Sequence, residues 1–226
     1  MKLNDNTIFI SDSHYNSTRT ILFTLLNKIE LKEISTTQLF LMGDIFDFLS
    51  NDILYFKKIN QDIIDLINKL SNDIEIIYLE GNHDFNLKDI FPNVFVISRE
   101  NQPISIKNDK KTISLAHGDI FTPFGYNLYT LFIRNSYIQK FLNIIDINNW
   151  LSKKIEKNLK SKNICKKQKD FQYFINQRIK NYNIDLVIEG HFHQGIITDN
   201  YINLPALCCT NEYMIYQNKQ FKFNMV

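Results

Sequence analysis

The five histidines of the chain all fall in four short clusters: Asp12-Ser13-His14, Gly81-Asn82-His83-Asp84, His117-Gly118-Asp119 and Gly190-His191-Phe192-His193. A fifth cluster, Gly43-Asp44-Ile45-Phe46-Asp47, has the same form without histidine. Imidazole and carboxylate together suit manganese, iron, zinc and related divalent ions. Brought to one place without cations, the aspartates would repel one another and their burial would be costly. The set offers more donors than one ion takes. Two metals about 3.5–4 Å apart are the usual device for displacement at phosphorus. Gly43, Gly81, Gly118 and Gly190 sit beside these residues, where the chain must turn sharply or approach a ligand closely. Taken alone, an Asp-x-His pair reads as a capped turn and a Gly-Asp pair as a loop. Five clusters that use every histidine read as a site.

The elements that must position them are short apolar runs at Thr7–Ile10, Gln38–Met42, Ile74–Leu79, Val94–Ile97, Thr112–Ala116 and Asp185–Ile188. Each reads as a buried strand, and each of the five clusters directly follows one of them. Helical periodicity fills intervals such as Thr18–Ile29 and Leu54–Leu70. This alternation predicts an α/β fold with a largely parallel central sheet, whose strand ends converge on one edge. After His193 come short strands at Gly195–Thr198, Tyr201–Leu204, Tyr213–Tyr216 and Phe221–Phe223, with a turn at Asn218–Lys219. They read as an antiparallel addition, a candidate second sheet. The stretch from Ile120 to about Tyr182 is too long for one crossover. Its helical stretches, roughly Gly125–Ile145, Asn149–Leu159 and Lys166–Asn181, read as an insertion over the end of the sheet.

With 226 residues, the chain suits one domain, spanning 1–226 and carrying that insertion at about 120–182. Its 44% hydrophobic and 22% charged residues fit a globular protein, and a net charge of +2 gives no argument for a nucleic-acid partner. The N-terminus has no apolar stretch long enough for a signal peptide, and no window approaches a membrane span. A cytoplasmic location is therefore expected. Cys165, Cys208 and Cys209, odd in number and without CxxC spacing, are expected to be reduced, packed thiols.

The order Asp-x-His, Gly-Asp, Gly-Asn-His-Asp, His-Gly and Gly-His-x-His resembles the motif set of calcineurin-like metallophosphoesterases, from Thr7 to about Leu204. The resemblance implies a four-layer αββα sandwich and two divalent ions, with manganese the first guess and iron or zinc as alternatives. It implies one ion on Asp12, His14, Asp44 and His193. Asp44 bridges to the second, held also by Asn82, His117 and His191. His83 matches the histidine that assists at the scissile phosphate, with Asp84 orienting it; Asp47 reads equally as a wall residue or a helix cap.

Within the family, the UDP-2,3-diacylglucosamine pyrophosphohydrolases look most similar. They share the cluster spacing, the helical insertion acting as a lid, and a Gly-Tyr pair seen here as Gly125-Tyr126. At His83 the chain follows the wider family, since the best-known members of that branch carry arginine. The insertion joins apolar residues to a lysine-rich stretch, which suits an anionic glycolipid nucleotide at the cytoplasmic face of the inner membrane. The resemblance thus implies cleavage of the diphosphate to 2,3-diacylglucosamine 1-phosphate and UMP. Asn82, Tyr126, Lys162 and Lys166 are the expected substrate contacts. Two alternatives stay open: another phosphomonoester, phosphodiester or nucleotide substrate, and a non-catalytic interaction protein that keeps the fold.

Overall fold

Strands and helices alternate through the first half of the chain in a computed structural model that describes residues 1–108 and 111–226. In order come β1 (Thr7–Ile10), α1 (Ile21–Glu30), β2 (Gln38–Leu41), β3 (Leu49–Ser50), α2 (Leu54–Ile59), α3 (Gln61–Leu70) and β4 (Glu75–Leu79). There follow β5 (Asp84–Phe85), β6 (Phe95–Ile97), β7 (Ile104–Asn108) and β8 (Lys111–Ala116). Four helices then intervene: α4 (Phe124–Ile133), α5 (Ser136–Ile145), α6 (Trp150–Ser161) and α7 (Phe171–Arg178). The chain closes with β9 (Leu186–Glu189), β10 (Ile196–Ile197), β11 (Tyr201–Asn203), α8 (Leu207–Thr210), β12 (Glu212–Gln217) and β13 (Gln220–Met225).

The strands form two principal sheets, with orders β13-β12-β1-β2-β4-β6 and β10-β11-β9-β8-β7. Along β1 the side chains alternate between two buried faces. Ile8 and Ile10 join a core with Leu22, Leu25 and Leu26 of α1 and Ile63 and Ile67 of α3. Phe9 instead joins Phe40 and Ile77 against Ile113, Leu115 and Ile188 of the second sheet. On the far side, Val187 and Tyr201 pack on Phe171 and Ile175 of α7. Helix, sheet, sheet, helix is the resulting order of layers. Strands buried on both faces need apolar residues throughout, which explains their continuous apolar runs.

Several expectations need correction. There is no single central sheet, because β8 and β9 belong to the second one. The C-terminal strands divide between the two sheets, and β11 pairs in parallel with β9 rather than antiparallel. The helix expected over Leu54–Leu70 breaks at Asn60, whose amide donates to the Phe48 and Phe56 carbonyls instead of continuing an apolar stripe. The stretch Gly125–Ile145 breaks at Asn135, whose side chain accepts from the amides of Tyr137 and Ile138 and so starts α5. α7 begins only at Phe171, not at Lys166. Finally, Cys165 and Cys209 form a disulfide rather than two free thiols. Their Cα atoms lie 5.5 Å apart although 44 residues separate them in sequence, so spacing alone could not reveal the pair. Cys208 is the free cysteine, and its thiol lies 3.1 Å from the Asp12 carbonyl.

Candidate metal centre

All five clusters leave strands of the two sheets at one end of the sandwich. β1 leads to Asp12 and His14, β2 to Asp44, β4 to Asn82, β8 to His117, and β9 to His191 and His193. Turning out of a buried strand within two or three residues demands unusual backbone. Asp12, His14, Asp44, His191 and His193 all adopt positive φ, between 40° and 63°. Each such non-glycine residue costs of order 1–3 kcal/mol, and clusters of them mark functional sites. Gly43, at φ 82°, carries a second constraint, since a Cβ there would lie 2.4 Å from His117 Nδ1. Gly190 meets a similar one: a Cβ would fall 2.8 Å from an Asp12 carboxylate oxygen.

The side chains assemble into three overlapping groups: Asp12 with His14 and His193, His14 with Asp44 and His83, and Asp44 with His117 and His191. Within each group the donor atoms lie within 4.8 Å of one another. His193 Nε2 is 3.1 Å from Asp12 Oδ1, and His117 Nε2 is 3.3 Å from Asn82 Oδ1. Asp44 is central, with Oδ2 3.5 Å from His117 Nε2 and 4.0 Å from His14 Nε2. Backbone carbonyls fix the other ring nitrogens. His117 Nδ1 meets Met42 O at 2.8 Å, and His193 Nδ1 meets Ile164 O at 2.7 Å. Each Nδ1 donates to its carbonyl, which turns Nε2 toward the carboxylates as the atom that would ligate a cation once its proton is displaced.

Electrostatics follow from packing anions and imidazoles together. Burial alone would raise the Asp12 carboxyl, but His193 beside it prevails and holds it down to about 2. Burial also opposes ionisation of Asp44, yet His117 and His83 hold it well below the usual carboxylate range. His14 is pushed down to about 3, chiefly by burial, and so stays neutral.

Asp84 does not orient His83, contrary to expectation. It is fully buried and accepts from the amides of Asp44, Ile45, Phe46 and Gly81 and from the Tyr78 hydroxyl. It therefore anchors the turn that carries Asp44. His83 is oriented instead by the Asp47 carbonyl, 2.6 Å from its Nδ1. The Asp47 carboxylate binds Arg19 at 2.6 Å and Asn16 at 2.8 Å, and lies 3.6 Å from His14 Nδ1.

Asn82 and His83 belong to the lining of a cavity of about 390 Å³, together with residues of α4, α5 and α6. Its walls include Phe48, Tyr129, Phe132, Leu142 and Ile155, and Tyr126 and Lys162 also line it. Lys166 is exposed and lies outside that lining. Its neighbour Lys167 instead donates to the carbonyls of His193 and Gln194, at 2.9 and 2.6 Å. Sequence reasoning missed Gln102 as well. Its carboxamide accepts from the His117 amide at 2.7 Å and donates to the Glu80 carbonyl at 2.8 Å, tying two cluster-bearing turns together. No motif surrounds either residue.

Residues 6–195 match the family model described as calcineurin-like phosphoesterase. The chain belongs to this family. It is a metal-dependent phosphoesterase of mixed α/β fold. It is 24% identical over 209 residues to a UDP-2,3-diacylglucosamine hydrolase of Coxiella burnetii, covering 88% of this chain and 84% of that one. Identity to a UDP-2,3-diacylglucosamine hydrolase of Haemophilus influenzae is 26% over 202 residues, with 84% and 83% covered. Among solved structures, a phosphoesterase from E. coli aligns over 94% of this chain and 88% of its own, at 12% identity and a TM-score of 0.48.

The residues present fit the divalent ions that calcineurin-like phosphoesterases imply. Both ring nitrogens of His14 are buried without a hydrogen-bond partner, although a neutral imidazole has a lone pair to satisfy. A cation among Asp12, His14, Asp44 and His193 would supply that partner. Among the described residues, no helix is long and apolar enough to cross a membrane.

Proposed function

We propose that the protein hydrolyses the diphosphate of UDP-2,3-diacylglucosamine, releasing UMP and 2,3-diacylglucosamine 1-phosphate. The observation that carries this reading is the largely apolar cavity whose lining includes Asn82 and His83. A soluble phosphoester has no use for apolar walls at its scissile end, whereas acyl chains gain about 0.8 kcal/mol for each CH₂ they bury. Residues 1–226 act as one domain, with about 120–182 as its lid. The names of the Coxiella and Haemophilus relatives agree with this substrate.

In this reading Asp12, His14, Asp44 and His193 hold one ion, and Asp44, Asn82, His117 and His191 the other. When bound, the two cations offset phosphoryl charge and acidify water. His83 spends Nδ1 on the Asp47 carbonyl and keeps Nε2 for the substrate. Protonated there, it donates to a phosphoryl oxygen or to the leaving group. The Asn82 amide and the Lys162 ammonium, both lining the cavity, give a diphosphate further donors. Tyr126 contributes a phenol whose proton is held tightly, because burial and the nearby Asp119 push it above its ordinary range.

The test is UMP release from the lipid in mild detergent by manganese-loaded protein, with Asp44→Asn as the blank. We expect turnover, reduced more than about 100-fold in the variant, since even outer partners of metal ligands cost 10–100-fold. Cleavage of simple aryl phosphoesters without cleavage of the lipid would remove the lipid assignment and leave the phosphoesterase standing.

A further inference from the structure

Arg178, the last residue of α7, is buried between the turns that carry His117 and His191. Its Nη2 donates to the Gly118 carbonyl at 2.7 Å, and its Nη1 to the Ile120 carbonyl at 2.7 Å. Gly118 directly follows His117. On the other side, Nε and Nη2 reach the Glu189 carboxylate at 3.0 and 2.6 Å. Glu189 ends β9, two residues before His191. The guanidinium also sits 5.4 Å from the ring centroid of Phe192, which lies between His191 and His193. One planar cation thus fixes the carbonyl side of one histidine turn and the strand end that launches the other.

Glu189 is itself held on its remaining lone pairs by the hydroxyls of Tyr182, at 2.5 Å, and Tyr201, at 2.7 Å. The network is fully paired, so it is rigid rather than merely charged. Burial of a charge pair is weak evidence for stability, because apolar replacements often serve as well. A role in placement explains the geometry better: five donors in a fixed fork reach two carbonyls and a carboxylate, which a lysine ammonium cannot do. The His117 and His191 ring centroids, 5.0 Å apart, are what this arrangement holds.

We infer that Arg178 is a positioning residue for the ion held by Asp44, Asn82, His117 and His191, setting its affinity from outside the ligand set. The inference rests on the two-ion reading above. It also gives the helical segment a direct connection to the metal centre, since α7 supplies the arginine.

Manganese binding to Arg178→Lys, followed by calorimetric titration and by the electron paramagnetic resonance signal of a coupled ion pair, tests it. Lysine keeps the charge opposite Glu189 and loses the bridge. We expect two ions on the wild type, and on the variant one unchanged ion and one bound about 10–100-fold more weakly, with loss of the coupled signal. Arg178→Met combined with Glu189→Gln removes the charge from both partners and should give the same selective loss, so a poorly folded lysine variant does not block the test. Wild-type affinity for both ions in a folded variant overturns the inference. Equal weakening of both ions with a lowered unfolding midpoint also overturns it, making Arg178 a general support of the fold. A wild-type protein that binds fewer than two ions overturns the two-ion reading itself.

Discussion

Along β1 and β2 every residue is buried, whereas α4 buries only Thr130 and α5 only Gln139. The two regions spend their side chains in opposite ways. In the sandwich, apolar residues fill three cores and polar groups gather at one end. In α4 and α5 the polar residues point inward, with Gln139 reaching Ser50 and the Ile133 carbonyl. Large apolar side chains stand in solvent, among them Phe124 at 76% exposure, Tyr137 at 84% and Ile144 at 76%. A sandwich that closes on itself is a scaffold. Exposed apolar patches mark candidate contact sites, and the same helices contribute to the lining of the cavity shared with Asn82 and His83.

The tie between the two regions is the strongest place to test their separation. Cys165 and Cys209 join the loop after α6 to α8, across a large closed loop of sequence. Cys165→Ser should lower the unfolding free energy by about 2–4 kcal/mol under oxidising conditions. The measurement is denaturant unfolding with and without a dithiol reductant. A variant as stable as the wild type would mean that Lys167, Arg178 and the other contacts already hold the segment in place.

A smaller effect should separate the cavity from the metal centre. Phe132 lines the cavity yet is 61% exposed, so shortening it removes little from the fold. Phe132→Ala should raise KM for the diacyl substrate about 10-fold, equivalent to about 1.4 kcal/mol of lost apolar contact. Turnover of a small aryl phosphoester should not change. Equal losses on both substrates would mean that the roof shapes the metal centre rather than the lipid site.

The same division explains what the sequence reveals. The strands were readable because burial on both faces requires unbroken apolar runs such as Ile8–Ile10 and Leu39–Leu41, whereas their division into two sheets followed only from the family resemblance. The histidine and aspartate clusters stood out because each follows such a run. Two-residue strands such as β3 and β5 carry no period long enough to detect. The breaks at Asn60 and Asn135 depend on side-chain bonds to backbone, and asparagine is too frequent in this chain for either to stand out. Asp84 sits inside a motif, yet its work of anchoring the Asp44 turn is visible only in its five hydrogen bonds. Arg178, Gln102 and Lys167 act across large sequence separations, and a long-range contact leaves no local pattern. The Cys165–Cys209 pair escaped for the same reason.

The smallest effect on stability belongs to the exposed apolar face, and it discriminates most between the regions. Phe124, Tyr137, Ile144 and Ile147 contribute almost nothing to a core, so replacing Tyr137 and Ile144 by Ser should shift stability by no more than about 0.5 kcal/mol for each site. If this face rests in the headgroup region of a membrane, the paired substitution should sharply reduce co-flotation with vesicles of mixed zwitterionic and anionic lipid. Lys140 on α5 and the exposed Lys153 and Lys154 on the following helix, α6, would add a salt-sensitive attraction to the anionic component. The apolar and basic contributions separate by experiment. High salt should weaken flotation of the wild type in part, and the Tyr137→Ser, Ile144→Ser variant should lose what salt leaves. Unchanged flotation of the variant would assign the face to the substrate's acyl chains alone, leaving the lid to take its lipid without resting on the bilayer.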